Sequence, residues 1–432
     1  MEDYEGEEVN RKIYAILEIL GRLGYTLSLK SMLNPDTLRR FLGFMIDTQA
    51  ESFKLPSDKQ IAFGNLRKEL LGKDFITLRD LQRLAGKCAS MAIAIPGALF
   101  YTREMNLAIS KAQKNSKPVA LSGPLREEIE HWNFIDNWEG EAKWRTESHI
   151  SLSIATDASM YRWAGTVLEG KLKGVEVSDY FLREDNRPIH IKETVAVINT
   201  LKTLGTDITG SRVDLLVDNQ SLIAAYKGQG SKVREFNDLL KELFELTVKF
   251  NIDLKMDYIN TSENPADAPS RVLSAKDARL SQECWVRLQN SFGPHTCDLM
   301  ALDSNSMKDE NGEALRHFTP HPMPASAGIN VFAQEVELEV NPYVFPPISM
   351  IPPVLNFLKE RRVAACTIVL PIGEWKEAWY PKVIHYAIGK CVLGKKGEKG
   401  ILWYPSKNGW EPDKTGLRWD LVAFRLCFTE SN

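Results

Sequence analysis

The stretch ISLSIATDAS, residues 150–159, decides the fold of the middle of the chain. Ile150, Leu152 and Ile154 alternate with polar residues, which is the pattern of a β-strand with one buried face. After this stretch, the sequence predicts strands over 161–169, 175–182, 212–217 and 252–259, and helices over 190–204, 219–228 and 232–250. The order βββαβααβ predicts a mixed five-stranded α/β sheet and not a doubly wound parallel one.

Four acidic residues stand at the ends of these predicted elements. Asp157 ends the first strand in TDAS, and Glu193 lies in the first turns of the first helix in IHIKE. Asp218 ends the fourth strand in LVDNQS, and Asp267 follows the fifth strand in ENPADAPSR. Because strand ends and a helix start converge at one edge of such a sheet, we expect the four carboxylates to lie together.

Clustered carboxylates of this kind point to hard metal ions. Mg²⁺ prefers carboxylate oxygens as protein ligands. In two-metal sites one ion activates a water and the other stabilises the leaving oxygen. Each acid alone also has an ordinary explanation, as a turn residue, an exposed helix acid or a helix cap. The occurrence of all four in this order favours the metal site.

Residues 150–271 resemble the ribonuclease H domain of retroelement reverse transcriptases. TDAS followed by RWAG is similar to the first hairpin of that family, and ENPADAPSR is similar to its closing segment. The resemblance implies a ribonuclease H fold whose catalytic and metal-binding residues are Asp157, Glu193, Asp218 and Asp267. It also implies two Mg²⁺ (or Mn²⁺) ions as cofactor and an RNA–DNA hybrid as the partner.

One position near the acids differs from the family pattern, and a histidine lies close to one of the acids. Many relatives place a histidine roughly where Tyr258 stands, and a tyrosine is a poor proton carrier near neutral pH. His190, three residues before Glu193, is interpreted as a solvent-facing residue at a helix start.

Ser159 and Asn219 are predicted to bind nucleic acid, since these short polar residues adjoin the acids and can test a 2′-hydroxyl. Local capping of turns and helices is an equally good interpretation of both.

The regions on either side predict further domains. Residues 1–50, with FLGFMIDT at 41–48, resemble the palm end of a reverse transcriptase, and 51–145 a helical thumb and connection region. Residues 146–275 form the ribonuclease H-like domain and 276–432 a C-terminal α/β domain. The likeness is to DIRS-type retrotransposon polyproteins, in which an aspartate pair precedes an acidic segment like DYEGEE. Here Glu2-Asp3 stands near that place and the polymerase core is missing, so we expect no polymerase activity.

Within the first 145 residues, helices are predicted over 9–24, 57–115 and 124–138, with a break at Pro96-Gly97. A β-hairpin is predicted between Tyr25–Leu29 and Phe41–Ile46. Five basic side chains predict either a groove for a nucleic-acid backbone or a solvated helix face. They are Lys68, Lys73, Arg79, Arg83 and Lys87.

The C-terminal region resembles the domain that follows ribonuclease H in the same elements, and distantly the phage DNA adenine methyltransferases. The base-binding loop of those enzymes reads Phe345-Pro346-Pro347-Ile348 here, and no glycine-rich cofactor loop is present. We therefore expect a Rossmann-like fold without methyl transfer. Residues 303–328 are predicted to form a long exposed loop, 351–362 a helix, and 363–370 and 417–428 strands.

Composition excludes several classes of protein. The 432 residues are 44% hydrophobic and 26% charged with a net charge of −3, so the chain does not coat nucleic acid by bulk charge. Six scattered cysteines lack zinc-finger spacing and predict free thiols in a reducing compartment. The N-terminus is acidic and no apolar run reaches the ~20 residues of a membrane span. The expected location is intracellular, cytoplasmic or nuclear, with no membrane partner.

Three function classes follow from these observations. The first is a metal-dependent ribonuclease within a retrotransposon polyprotein. The second is a catalytically silent nucleic-acid-binding remnant of a retroelement, which the altered flanking motifs favour. The third, an integrase or transposase, is weaker, because those enzymes usually use three acids and lack an ending like ADAPSR.

Overall fold

The computed structural model describes residues 2–28, 36–115, 118–144, 151–182, 185–373 and 377–429. The chain forms two compact units, Met1–Glu147 and Ser148–Asn432. The break lies two residues beyond the predicted boundary at 145.

The described part of the first unit is mainly helical, with two small antiparallel sheets, one of four strands and one of two. Its elements are α1 (Glu2–Arg22), β1 (Leu38–Phe41), β2 (Phe44–Asp47), β3 (Ser52–Lys54), α2 (Ser57–Leu71), β4 (Phe75–Ile76), α3 (Leu78–Met91), α4 (Arg103–Asn115), β5 (Val119–Ala120), α5 (Gly123–His131) and β6 (Glu141–Lys143). The Thr77 side chain caps α3 by accepting a hydrogen bond from the Asp80 amide. Leu70, Leu81 and Leu84 form the core around the buried Trp132. The region predicted as helical over 57–115 contains α2, α3 and α4, with the predicted break before α4, but the strand β4 interrupts it at Phe75–Ile76, which was not predicted.

The predicted hairpin in this unit is wrong in its pairing. β1 pairs with β2, from Leu38 opposite Asp47 to Phe41 opposite Phe44. Leu42 and Gly43 make the turn with φ values of 48° and 84°. Positive φ at both central residues is what a tight hairpin turn requires, so the turn falls inside the segment that was predicted as one strand. Residues 25–28 form no strand, and Leu29 lies outside the described residues.

The second unit begins with the predicted mixed sheet. Its elements are β7 (Ser151–Ala158), β8 (Arg162–Glu169), β9 (Glu176–Tyr180), α6 (Ile189–Leu204), β10 (Arg212–Val217), α7 (Gln220–Lys227), α8 (Arg234–Lys249) and β11 (Asp253–Tyr258). The strand order is β11-β10-β7-β8-β9. β10 runs parallel to β7 and β11, while β8 runs antiparallel to β7 and β9. The element order and the mixed five-stranded sheet are confirmed, and Ile150 lies outside the described residues.

The rest of the second unit is built on a seven-stranded sheet. Its elements are β12 (Arg279–Leu280), α9 (Gln282–Phe292), β13 (Cys297–Asp298), β14 (Arg316–Thr319), β15 (Gly328–Ile329), β16 (Pro342–Val344), α10 (Ile351–Glu360), β17 (Cys366–Ile372), α11 (Tyr380–Tyr386), β18 (Ala387–Gly394), β19 (Leu402–Ser406), β20 (Gly409–Pro412) and β21 (Asp420–Leu426). The order is β15-β14-β13-β16-β17-β21-β18. The first five strands are parallel, and β21 lies antiparallel between β17 and β18.

The interpretation of residues 303–328 as an exposed loop is wrong. They contain β14, which pairs with two other strands and buries Phe318. The polar residues of this strand gave it no apolar pattern in the sequence. Their side chains form hydrogen bonds within the protein, which allows them to be buried. The His317 Nε2 lies 2.8 Å from Asp303 Oδ1, and the Thr319 hydroxyl donates to the His321 carbonyl at 2.6 Å.

The five-stranded sheet is joined to the C-terminal region through β9. The Ser304 amide and hydroxyl both donate to Asp179, at 2.9 and 2.5 Å. The Tyr180 hydroxyl donates to Asp277 at 2.9 Å, and its ring meets that of Trp410 at a centroid distance of 5.7 Å.

The six cysteines are all free thiols, as predicted. Of the helices described, none has the length and apolar character needed to cross a membrane.

Candidate active site

Asp157 and Asp218 lie at the carboxyl ends of adjacent parallel strands. The last pair between β7 and β10 joins Ala155 to Leu216. Each acid stands two residues beyond its member of that pair, so the register places them at the same level. Asp157 is 3% exposed. The sequence therefore puts a buried carboxylate beside a second one.

Glu193 reaches the same place from α6. The helix begins after Pro188, whose extended backbone suits the residue before a first turn. Burial, together with the negative charges of Asp218 and Asp157, raises the pKa of Glu193 to about 7, against a hydrogen bond from Asn219 that lowers it. The three carboxylates thus lie close enough to repel one another.

Asp267 is held near them by the segment that follows β11. The Asn264 side chain, 5% exposed, donates to the Thr156 carbonyl at 2.9 Å and accepts from the Ala266 amide at 3.1 Å. These bonds tie the segment to β7 next to Asp157. Burial raises the pKa of Asp157, the Ser270 hydroxyl opposes this rise, and the charges of Asp218 and Asp267 add to it. The structure therefore brings all four predicted acids together.

Three of the acids also have partners within the protein. The Ser270 hydroxyl lies 2.5 Å from Asp157 Oδ2, and the Thr261 hydroxyl donates to Asp218 Oδ2 at 3.0 Å. The Arg271 Nε and Nη2 donate to Asp267 Oδ1 at 2.9 and 2.6 Å. None of these three partner residues was predicted from the sequence to belong to the site. Ser270 and Arg271 stand in the quoted ENPADAPSR segment, whereas nothing in the sequence marks Thr261.

The chemistry of this donor set fits a hard divalent cation. The available ligands are carboxylate oxygens, and burial, followed by repulsion between them, raises the pKa of Glu193 and Asp157. A cation bound there would offset both effects. As the side chains stand, however, the described part of the chain holds no group of three or more acidic, histidine or cysteine residues arranged to bind a metal ion.

Ser159 and Asn219 lie beside the acids but are used internally. The Asn219 Oδ1 caps α7 by accepting from the Leu222 amide at 2.9 Å, and its Nδ2 donates to the His190 carbonyl at 3.0 Å. The Ser159 hydroxyl donates to the Ser270 carbonyl at 2.8 Å. Both residues are buried. The Asn219 cap agrees with the alternative interpretation of local capping, as does the bond of 3.0 Å that the Ser159 hydroxyl accepts from the Arg162 amide. The bond from Ser159 to Ser270 is instead a tertiary contact across 111 positions. RNA binding by the two side chains stays a prediction.

Tyr258 and His190 do not join the acids in any hydrogen bond among the described residues. Tyr258 is 50% exposed at the end of β11. His190 is exposed, and its ring lies 6.3 Å from that of Phe236. The interpretation of His190 as a helix-start residue agrees with this placement.

In the first unit, two of the five basic side chains are paired with acids. Lys68 Nζ lies 2.8 Å from Asp136 Oδ2, and Lys73 Nζ lies 2.8 Å from Glu69 Oε1. The other three lie on α3. The predicted groove for a nucleic-acid backbone remains a prediction.

In the C-terminal sheet, Phe345-Pro346-Pro347-Ile348 follows β16, and the partly buried Phe345 packs against the core. Residues 299–302, directly after β13, bury Leu299 and Ala301 and contain no glycine.

Comparison with known proteins gives similarity to solved structures alone. No protein-family model matches the sequence, and no curated protein is significantly similar to it. The foamy viral protease–reverse transcriptase in complex with an RNA/DNA hybrid is 17% identical, covering 68% of this chain and 37% of that chain, with a TM-score of 0.30. RNase H1 from the halophilic archaeon Halobacterium salinarum NRC-1 is 13% identical, covering 28% and 92%, with a TM-score of 0.24.

A third match is the N-terminal RNase H domain of a Mycobacterium tuberculosis protein, solved as a fusion with maltose binding protein. It is 12% identical, covering 28% of this chain and 96% of that chain, with a TM-score of 0.24. This chain spans about two fifths of the length of the foamy viral proteins that it matches.

Proposed function

We propose that this chain is a divalent-metal-dependent endonuclease that hydrolyses the RNA strand of RNA–DNA hybrids. The observation that carries the proposal is the meeting of Asp157, Glu193, Asp218 and Asp267 at the carboxyl ends of β7, β10 and β11, with Glu193 coming from α6. Burial and mutual repulsion together raise the pKa of Asp157 and Glu193, so the four acids are a costly arrangement unless a cation relieves it.

In this proposal the four carboxylates hold two Mg²⁺ or Mn²⁺ ions. When bound, such ions activate a water and stabilise the leaving oxygen of a phosphodiester. Binding of an ion by Glu193 would be coupled to the release of a proton from its carboxyl group. Because its pKa is about 7, its carboxyl is partly protonated near neutral pH and must lose that proton to act as a ligand.

The residues around the acids keep them in place. Asn264 fixes the Asp267 segment to the carbonyl that precedes Asp157, and the Ser270 hydroxyl orients the Asp157 carboxylate. Hydrogen bonds of this kind, which orient metal ligands, are part of how such sites work.

The choice of RNA over DNA has to come from the 2′-hydroxyl and from the shape of the hybrid, because a metal site accepts any phosphodiester placed in it. Ser159 and Asn219 remain the candidates for contact with the hybrid. The Ser159 hydroxyl already accepts from the Tyr161 and Arg162 amides and donates to the Ser270 carbonyl, so contact with the hybrid would require it to give up one of these bonds. Asn219 Oδ1 keeps one lone pair beside the bond that it accepts from Leu222.

The direct test is a cleavage assay on an RNA–DNA hybrid with the RNA strand labelled. We expect cutting with Mg²⁺ or Mn²⁺, none with a chelator, and much weaker action on double-stranded DNA. An intact RNA strand with either ion would contradict the proposal.

A second candidate is a catalytically silent protein that binds nucleic acid. The internal partners of Asp157, Asp218 and Asp267, together with the absence of a ready metal-binding group among the described residues, favour it. It is supported if the protein binds the hybrid but leaves the RNA intact with both ions.

For the chain as a whole we propose an origin in a DIRS-type retrotransposon polyprotein. In that setting residues 1–50 are a palm remnant, 51–145 a thumb and connection region, 146–275 the nuclease and 276–432 a domain of unassigned role. The support is the set of sequence resemblances at 41–48, 150–271 and 292–381.

A further inference from the structure

The ion pair between Arg271 and Asp267 has its charged groups at the candidate site. Two guanidinium nitrogens donate to the same oxygen, Asp267 Oδ1, across the 3₁₀ turn Pro269–Arg271. The side chains are 56% and 31% exposed, so the pair opens to solvent. The Arg271 carbonyl accepts a hydrogen bond from the Tyr161 hydroxyl at 3.0 Å. The backbone of Arg271 is thereby attached to the β7–β8 hairpin, while its exposed side chain has room to turn toward solvent.

Arg271 also acts on a second acid of the site. The Asp267 and Asp157 charges both raise the pKa of Arg271, and the Arg271 charge in turn lowers the pKa of Asp157. Arg271 therefore supplies positive charge to the carboxylates. A guanidinium and a divalent cation compete for Asp267 Oδ1, since a carboxylate oxygen that accepts hydrogen bonds from two N–H groups has no lone pair left for a cation.

We propose that Arg271 is an internal counter-ion that a divalent cation displaces from Asp267 when it binds. This inference deepens the proposed function and relies on it only for the claim that the acids bind a cation. Because the cation must displace Arg271, its affinity for the site is lower than its affinity for the four carboxylates would be without Arg271.

The test measures Mn²⁺ affinity of the full chain without nucleic acid, by titration calorimetry and by the electron paramagnetic resonance signal of free Mn²⁺. Arg271→Gln should bind Mn²⁺ about two- to fivefold more tightly than the wild type, the range expected for loss of an exposed ion pair. Arg271→Lys keeps the charge and should stay near the wild type. Arg212→Gln is the matched control, because it removes a similar pair with Asp214 at the other end of β10.

A double-mutant cycle shows whether the effect passes through Asp267. In the Asp267→Asn background, Arg271→Gln should no longer improve Mn²⁺ binding. An unchanged affinity in Arg271→Gln, or a gain that persists in the Asp267→Asn background, would overturn the proposal, as would the absence of Mn²⁺ binding by both the wild type and Arg271→Gln. The Mn²⁺ titration does not depend on cleavage, so the two proposals can fail separately. If the protein shows the predicted shift in Mn²⁺ affinity but a separate assay shows no cutting of RNA, the nuclease proposal is refuted and the counter-ion proposal stands.

Discussion

Asp157 and Asp218 stand at the same level on two adjacent parallel strands, each two residues beyond the paired Ala155 and Leu216. A parallel pair aligns the side chains of its two strands at the same end of the sheet, so two strand-ending acids must face the same region. The repulsion between them is part of what raises the pKa of Asp157. This relationship makes the following substitutions informative.

Asp218→Asn should abolish RNA cleavage and leave the fold and hybrid binding nearly unchanged. A neutral amide is a poor ligand for a hard cation, whereas its oxygen can still accept the hydrogen bond from Thr261. Cleavage, hybrid affinity and thermal midpoint are measured on the same preparation. Asp214→Asn is the control, since Asp214 lies on the same strand and pairs with Arg212. Wild-type cleavage by Asp218→Asn would contradict the assignment.

Asn264→Ala should lower both stability and cleavage. It leaves the buried Thr156 carbonyl and Ala266 amide without their partner, which costs about 1–3 kcal/mol for an unsatisfied buried group. It also frees the Asp267 segment from β7. Denaturant unfolding and the cleavage rate are the readouts. Asn260→Ala removes a comparable amide that caps the exposed turn Thr261–Glu263 by accepting from Ser262, so it should lower stability less than Asn264→Ala and leave cleavage closer to the wild type. Equal effects of the two substitutions would count against the role of Asn264.

Asp179 should make stability depend on pH. Burial raises its pKa to about 7, against hydrogen bonds from Ser304 and Tyr180. A folded pKa above the unfolded value of about 3.9 means that this carboxyl stabilises the fold fully below about pH 4 and loses that contribution as the pH rises through about 7. Asp179→Asn should therefore gain stability relative to the wild type between pH 4 and pH 8, by on the order of 2–4 kcal/mol. Unfolding of both proteins across this range tests it, and parallel stability curves would show that Asp179 does not titrate there.

S-adenosylmethionine should not bind the C-terminal sheet. Residues 299–302, directly after β13, contain no glycine and bury Leu299 and Ala301, and Phe345-Pro346-Pro347-Ile348 lacks the polar residue that holds a base. Titration calorimetry with S-adenosylmethionine should give no heat beyond dilution. A saturable binding isotherm would refute this, and the variant Phe345→Ala would then show whether the segment after β16 forms the site.

The sequence predicted the parts of this molecule whose residues alternate or repeat clearly. β7 to β11 and the helices between them were predicted to within a few residues, because apolar periodicity reports burial directly. The convergence of the four acids followed from their places at the ends of those elements. β14 was missed, because RHFT carries little apolar signal and its burial depends on distant partners such as Asp303.

The partners of the acids could not be predicted for a similar reason. Thr261 reaches Asp218 across 43 positions of sequence, and Ser270 reaches Asp157 across 113. Such contacts depend on the angle at which the closing segment returns to the sheet. That angle is set by the Asn264 bond to β7, which is a tertiary contact without a periodic signature.

Ser304, Asp277 and Trp410 contact β9, and these contacts decide where the chain can be shortened without exposing that strand. β9 is an outer strand of its sheet, and an outer strand that is left bare offers its backbone for pairing with another molecule. In the intact chain the downstream residues shield it. A nuclease fragment that stops near residue 275 loses that shield together with the packing around Tyr180, so such a fragment will tend to self-associate and precipitate, whereas one that runs from 151 to 429 will stay dispersed.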